Sequence, residues 1–307
     1  MFVHGTQLLT KSGWVTVEDL REEMQVLQAW PVSSSRTCEL DWVHPQIRGA
    51  QTGELPLIRT ETDSFTVEAP EAAKFCAVRG DKLATPLASE LSSCGLVFGA
   101  GTLLAGQELS TVELGVLRVA MAVQADGHYL EPGGIDLRFE KTRKVERLTA
   151  LMKAVKMSFK SFPKDSKDRY KFIIPPPQAV RAKKYLTVDK KLKWDLLGYN
   201  AEARAVVLEE IVHWDSSVEA GGFRFSTKHS WNADIVQAVA CSLGRRARVS
   251  PDREWWRTRV ADVAFHSTQR VKLTAVDPSR VSIFNISTSS GFLLCRQFGT
   301  VTIRAGF

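Results

Sequence analysis

The sequence predicts an α+β protein in which a helix-rich middle, built of two matching units, interrupts an all-β framework. Three observations carry that prediction. Both ends are written in short β-type runs, the middle switches to a helical period and repeats itself about ninety residues later, and the charge changes sign along the chain.

Residues 1 to about 95 read as strands broken by Gly, Pro and Ser, in GTQLLTKSGWVTV, MQVLQAWPV, LPLIRTET and SFTVEAP. Alternating β-branched and aromatic residues between turn formers are the pattern of a sheet. The last forty residues return to it in RVSIFNISTSSGFLLCRQFGTVTIRAGF, where Ser-Ser-Gly and Phe-Gly mark turns. Between them, Ser110 and Glu113 form a capping box ahead of Val116, Leu117, Ala120, Met121 and Val123, which predicts a helix stopping near Gly127. A strand pair (GIDLRFEK), a helical run (KVERLTALMKAVK) and a basic loop closing on IIPPPQAV follow. Pro175 to Pro177 are expected to bar any helix there.

The same order then returns: helix EARAVVLEEIVHW, Asp215, strand GGFRFSTK, helix NADIVQAVACSLG. Two units of helix, Asp, β-ribbon and helix predict a pseudo-twofold domain that could match two half-sites on duplex DNA.

At 307 residues, with 44% hydrophobic and 24% charged, the chain has room for about two domains. No run approaches the roughly 18 apolar residues of a membrane span, and MFVHGTQLLTKSGW lacks the basic-then-apolar order of a signal peptide. A cytoplasmic protein without membrane contact is expected. Cys38, Cys76, Cys94, Cys241 and Cys295 form no CxxC pair, so neither a zinc site nor a disulfide framework is expected, only reduced, mostly buried thiols. Residues 1–110 hold 8 Lys and Arg against 14 Asp and Glu, a net of −6, which leaves +13 for the remainder. From Arg138 to Lys193 the balance is 18 basic to 5 acidic. Such a stretch suits a polyanion, although a solvated Lys-rich face gives the same count.

VAMAVQADG (Val119 to Gly127) resembles the first motif of the LAGLIDADG homing endonucleases, and LEEIVHWDS (Leu208 to Ser216) resembles the second, degenerate copy. The similarity runs on through IDLRFEKTRKVERL and FRFSTKHSWNADIVQAVA and covers most of residues 110–262. It implies a LAGLIDADG endonuclease domain over 108–264, made of two αββαββα-type repeats at about 110–180 and 198–262. Such a protein acts as a monomer on double-stranded DNA with Mg²⁺ (or Mn²⁺).

By the same resemblance Asp126 and Asp215 meet at the base of the DNA groove as catalytic, metal-binding carboxylates. Mg²⁺ takes oxygen ligands and keeps several waters, and ions there lower the pKa of the attacking water and neutralise the leaving oxygen. The β-ribbons would read the major groove. Lys228 in FSTKHS and Lys141 in FEKT stand near where the family places an active-site lysine, and each is equally readable as a phosphate contact. The DNA-contacting set implied is Arg138, Glu140, Lys141, Arg143, Lys144, Arg181, Lys183, Lys184, Lys190, Lys191, Lys193, Arg224, Lys228 and His229. Read from the residues alone, an Asp before Gly is also an ordinary turn residue. Two carboxylates at helix C-termini nevertheless oppose the helix dipole, and a bound cation accounts for both. His128, His213, His229 and His266 show no regular metal-ligand spacing and are expected on the surface or facing phosphate. Glu209 and Glu210 stand where the family has small residues, and Ser216 where it has Gly, which is at odds with close helix packing.

GTQLLTKSGWVTVEDLREEMQVL resembles the opening of intein and hedgehog-type (Hint) splicing domains, and GFLLCRQFGTVTIRAGF their closing strands. Together they imply an all-β intein-like domain split over 1–100 and 265–307. Splicing requires Cys or Ser at the first position, a Thr-x-x-His element and a terminal Asn. Here Met1, Ala69-Pro70-Glu71-Ala72 and Gly306-Phe307 occupy those stations, so self-splicing is expected to be absent and the domain to serve as scaffold or accessory DNA contact. The combined expectation is a Mg²⁺-dependent site-specific endonuclease acting on a long, asymmetric duplex target. Two rival readings are an RNA-splicing (maturase-like) cofactor without metal chemistry, and an intein whose splicing residues were altered.

Overall fold

In the computed structural model, residues 1–32, 36–165, 168–276 and 280–306 are described. Helix α1 (Thr111–Asp126) starts where the sequence places it: Ser110 Oγ accepts from the Glu113 N–H (3.3 Å) and the Glu113 carboxylate accepts from the Ser110 N–H (3.2 Å). It ends against Gly127, where a Cβ would meet the Val123 carbonyl at 2.6 Å. Val116, Leu117 and the run Val119 to Val123 are all buried, so the helix is enclosed on every side rather than striped.

The other helices are α2 (Thr142–Ala154), α3 (Pro176–Lys183), α4 (Ala201–Asp215) and α5 (Ser230–Cys241). The existence of α3 corrects the expectation drawn from Pro175 to Pro177. Pro175 caps the helix and Pro176 and Pro177 fill its first turn, where backbone N–H groups have no intrahelical partner to lose. The basic loop before it is likewise structured, as strands Lys160–Phe162 and Tyr170–Ile174.

The two repeats share both element order and sheet order. In the first, Gly127–Tyr129, Ile135–Phe139, Tyr170–Ile174 and Lys160–Phe162 are neighbours in that sequence; in the second, Ser216–Glu219, Gly222–Thr227, Trp255–Ala261 and Ala247–Asp252. The first sheet stops at four strands. The second continues from Ala247–Asp252 into Thr300–Ala305, through the Arg248–Thr300 pair, and on through Phe292–Gln297, Gln7–Thr10, Val26–Val32 and Thr37–Val43. The N- and C-terminal segments interleave elsewhere too: Phe2–Val3 pairs with Arg280–Ser287, and Leu57–Glu61 with Lys272–Val276. The Met1 backbone nitrogen donates to the carbonyls of Ala305 and Gly306.

One core runs from Leu9 and Leu27 through α1, α4 and α5 to Leu294 and Ile303, with smaller clusters around Phe65 and Phe75 and around Phe2 and Leu8. All five cysteines are buried and unbonded. His266 is a correction to the sequence reading, for it is fully buried, donates from Nε2 to the Val301 carbonyl (2.8 Å) and packs 5.2 Å from the Phe65 ring. Among the described residues no helix is long and apolar enough to cross a membrane.

Candidate active site

Helices α1 and α4 pack along each other, and each ends in an aspartate after which the chain turns straight into a strand. The enclosed, apolar faces of both helices force this pairing, and the pairing brings Asp126 and Asp215 close enough to repel. Burial, and then the negative charge of Asp126, push the Asp215 carboxyl above the usual carboxylate range; Lys144 and Lys190 pull it back down. Lys144, in the first turn of α2, donates to Asp126 Oδ2 at 2.5 Å and lies 5.9 Å from the Trp214 ring. Lys190 donates to the Gly127 carbonyl. Burial lowers the pKa of its amine, while Asp126 and Asp215 both raise it. The cluster is therefore two carboxylates, one backbone carbonyl and two ammonium groups, with both lysines on the first-repeat side of α4.

Close packing of α1 on α4 survives the glutamates of the second motif. Glu209 points outward, 55% exposed, and meets Arg118 at 2.9 Å. Glu210 points inward and is fully buried: its carboxylate accepts from Arg118 of α1 (2.7 Å), Arg147 of α2 (2.9 Å) and Trp214 Nε1 (2.9 Å). An ion cluster here takes the place of small-residue contact just behind the acid pair. Arg143 adds a further tie between repeats by donating to the His213 carbonyl (2.7 Å).

The remaining residues of the implied set separate by position. Lys228 is 59% exposed, 3.8 Å from Glu254 and 5.1 Å from the Trp255 ring, and it is not among the charges that act on Asp215. Lys141, exposed, stands at the start of α2, and Glu140 beside it is exposed as well. Arg181 donates to Gln178 and the Val155 carbonyl, Lys183 to the Gly133 carbonyl, and Lys193 to the Lys184 carbonyl, all of them contacts within the fold. Lys184 pairs with Glu113 at 3.0 Å and Lys191 with Asp189 at 3.9 Å. His128, His213 and His229 are exposed.

Both sheets turn a basic face away from the helices. In the first, His128, Arg138, Lys160 and Lys171 share the side opposite buried Leu137, Phe139 and Phe172, with Arg138 held by Asp136 at 2.9 Å. In the second, Arg224, Arg259 and Arg248 form one cross-strand row and Ser226, Arg257 and Ser250 the next, opposite buried Phe223, Phe225 and Val260. With Arg246 these arginines line a cleft against Asp63 and Ser64, and the Nε atoms of Arg246 and Arg248 are buried there without an acceptor among the described residues. Sequence reasoning named only Arg224 of this group. The alternation of arginines in RRARVS and RTRVA was the signal for the rest, since a period of two places them on one face.

No protein-family model matches the chain, and no curated protein does. Among solved structures, the chain is similar to I-DmoI in complex with DNA and Mn, at 10% identity over 49% of this chain and 91% of that one, with a TM-score of 0.38. It is also similar to mesophilic variants from the homing endonuclease I-DmoI (9% identity, 50% of this chain and 90% of that one, TM-score 0.40). A third is full-length DUF199/WhiA from Thermatoga maritima (10% identity, 50% of this chain and 52% of that one, TM-score 0.38). These likenesses span half the chain.

Proposed function

We propose that the protein is a divalent-metal-dependent DNA endonuclease whose reacting centre is the Asp126–Asp215 pair. The single observation behind this reading is the meeting of two helix-terminal carboxylates, one per repeat, between two sheets that present basic faces. Among the described residues no group of three His, Cys, Asp or Glu gathers in one place, so an all-protein cage is not on offer. Two carboxylates suit Mg²⁺ or Mn²⁺, hard ions that fill the rest of their shell with water and phosphate oxygens. The fit is supported by the raised Asp215 carboxyl, disfavoured as an anion by burial and then by the charge of Asp126, both of which a cation offsets. When bound, the ion supplies a more acidic water and offsets charge on the leaving oxygen.

The chain's own residues carry the other tasks. Lys144 and Lys190 supply positive charge at the acids, where a phosphodiester going to its transition state gains negative charge. The arginine rows and the first-repeat basic face hold the backbone of a duplex laid across both sheets, with base edges read by the ribbon side chains between them. A long, asymmetric site follows from two repeats that differ in side chains. The terminal β-framework is assigned the role of a scaffold that has lost splicing chemistry, as Ala69 to Ala72 provide no imidazole.

Cleaved sequences selected from a randomised duplex library in Mg²⁺ give the substrate for the test. Asp126→Asn and Asp215→Asn are each expected to lower cleavage by about a hundredfold or more while binding persists. Unchanged cleavage in both variants removes the acids from the reaction. One observation favours a second reading, a non-cleaving nucleic-acid binder: Lys144 and Lys190 already offset the charge of the acid pair. Salt-sensitive binding with no strand nicked in Mg²⁺ or Mn²⁺ would establish it.

A further inference from the structure

Lys190, whose ammonium donates to the Gly127 carbonyl beside Asp126, comes from neither a helix nor a strand. It sits on a tight turn between α3 and the short 3₁₀ turn Trp194–Gly198, in the left-handed backbone region at φ 60°. The turn closes on itself: Lys190 N donates to the Thr187 carbonyl (3.0 Å), Thr187 N to the Lys191 carbonyl (2.8 Å), Lys191 N to Thr187 Oγ1 (3.0 Å), and Leu186 bridges to Leu192. A positive φ is strained for a lysine and persists only where the surroundings fix it.

The start of α5 provides that fixation. Asn232 Oδ1 accepts from the Leu192 N–H at 3.0 Å, and Trp231 Nε1 donates to the Leu192 carbonyl at 2.7 Å, so both backbone polar groups of one buried residue are held by two adjacent side chains of the other repeat. Asn232 is fully buried and its Nδ2 finds no acceptor among the described residues, a costly arrangement for an amide. Its oxygen, rather than the whole amide, is what the position uses. Tyr129 of the first repeat steadies the other end, its hydroxyl donating to the Thr187 carbonyl at 3.3 Å.

We propose that Asn232 and Trp231 are positioning residues that hold the 186–192 turn so that Lys190 meets the Asp126–Asp215 pair. Helix α5 packs on α4, which ends in Asp215, so docking of the second repeat sets an acid and the lysine together. The inference rests on the nuclease reading for its catalytic consequence, and on geometry alone for the anchoring.

The test uses the full chain. Trp231→Phe keeps an aromatic ring at a 43% exposed position and deletes the donor, while Asn232→Ala deletes the acceptor. Amide hydrogen exchange of Leu192 is measured without metal or DNA, and is expected to quicken by about tenfold in Asn232→Ala. On the selected duplex, kcat is expected to fall by about tenfold or more in both variants, towards the floor set by Lys190→Met. Duplex affinity should stay within about twofold of the original, a split that general loosening of the domain would not give. Unchanged exchange and unchanged kcat overturn the proposal, and so does a fall in kcat that merely tracks lost affinity. If Asn232→Ala does not fold, Trp231→Phe decides alone. Faster exchange in a chain that cuts no duplex would uphold the anchoring and refute the nuclease.

Discussion

At the scale of single residues, the molecule hides groups that the sequence presents as ordinary surface chemistry. His266 is the sharpest case. Its imidazole is fully buried, and burial pushes its pKa down to about 4, outweighing the Nε2 hydrogen bond to the Val301 carbonyl, which favours the charged form. A base whose folded pKa lies below its unfolded value of 6.5 contributes stability that is complete above about pH 6.5 and is lost as pH falls towards 4. The loss amounts to roughly 3 kcal/mol. Urea unfolding of the wild type and of His266→Gln at pH 7 and pH 4.5 checks this: the variant should start weaker and show a flatter loss on acidification. Equal pH slopes would remove His266 as a source. Gly99 leaves the room the ring occupies, because a Cβ there would meet His266 Nε2 at 2.3 Å.

At the scale of elements, the pairing of α1 with α4 depends on an ion cluster where small residues were expected. Glu210 gathers Arg118, Arg147 and Trp214 around one buried carboxylate, and its removal leaves two guanidinium groups facing each other. Glu210→Ala is expected to destabilise the protein by about 3 kcal/mol, whereas Glu209→Ala, which loses a largely exposed pair, should cost less than about 1 kcal/mol. Denaturant midpoints of the two variants give the comparison, and similar values would show that the cluster does not hold the helices. The pairing sets the separation of Asp126 and Asp215, so on the proposed nuclease reading Glu210→Ala should also lower cleavage even though Glu210 touches neither acid. The helix starts were legible for a different reason: Ser110 and Glu113 cap α1 through contacts three residues apart, which sequence displays directly.

At the scale of the whole molecule, the second repeat and the terminal β-framework share a sheet and a core. Gly299 sits at their junction with φ 70°; its carbonyl accepts from Val249 N (2.9 Å) and Gln237 Nε2 (2.7 Å), and a Cβ would fall 1.8 Å from the Val249 carbonyl. Gly299→Ala is therefore expected to lower stability by about 3 kcal/mol and to shift one cooperative transition instead of splitting it. Calorimetry and tryptophan fluorescence recorded on the same sample should give coincident curves. Two separate transitions in the wild type would show that the parts fold independently.

The sequence by itself determined the alternation of β-type ends and helical middle, the ninety-residue recurrence, the caps of α1 and the two aspartates at equivalent helix ends. All of these are local patterns or their repetition. It also marked Lys144 and Lys190, though as members of a longer DNA-contacting set and not as partners of the two aspartates. Tertiary structure alone decided that Lys144 pairs with Asp126 and Lys190 docks on the neighbouring Gly127 carbonyl, that Glu210 turns inward, that His266 is enclosed, and that the arginines of RRARVS and RTRVA share one cleft. The physical reason is distance along the chain. Electrostatic partnership depends on separation in space, and groups 18 to 64 residues from Asp126 become its neighbours only after helices pack and sheets close.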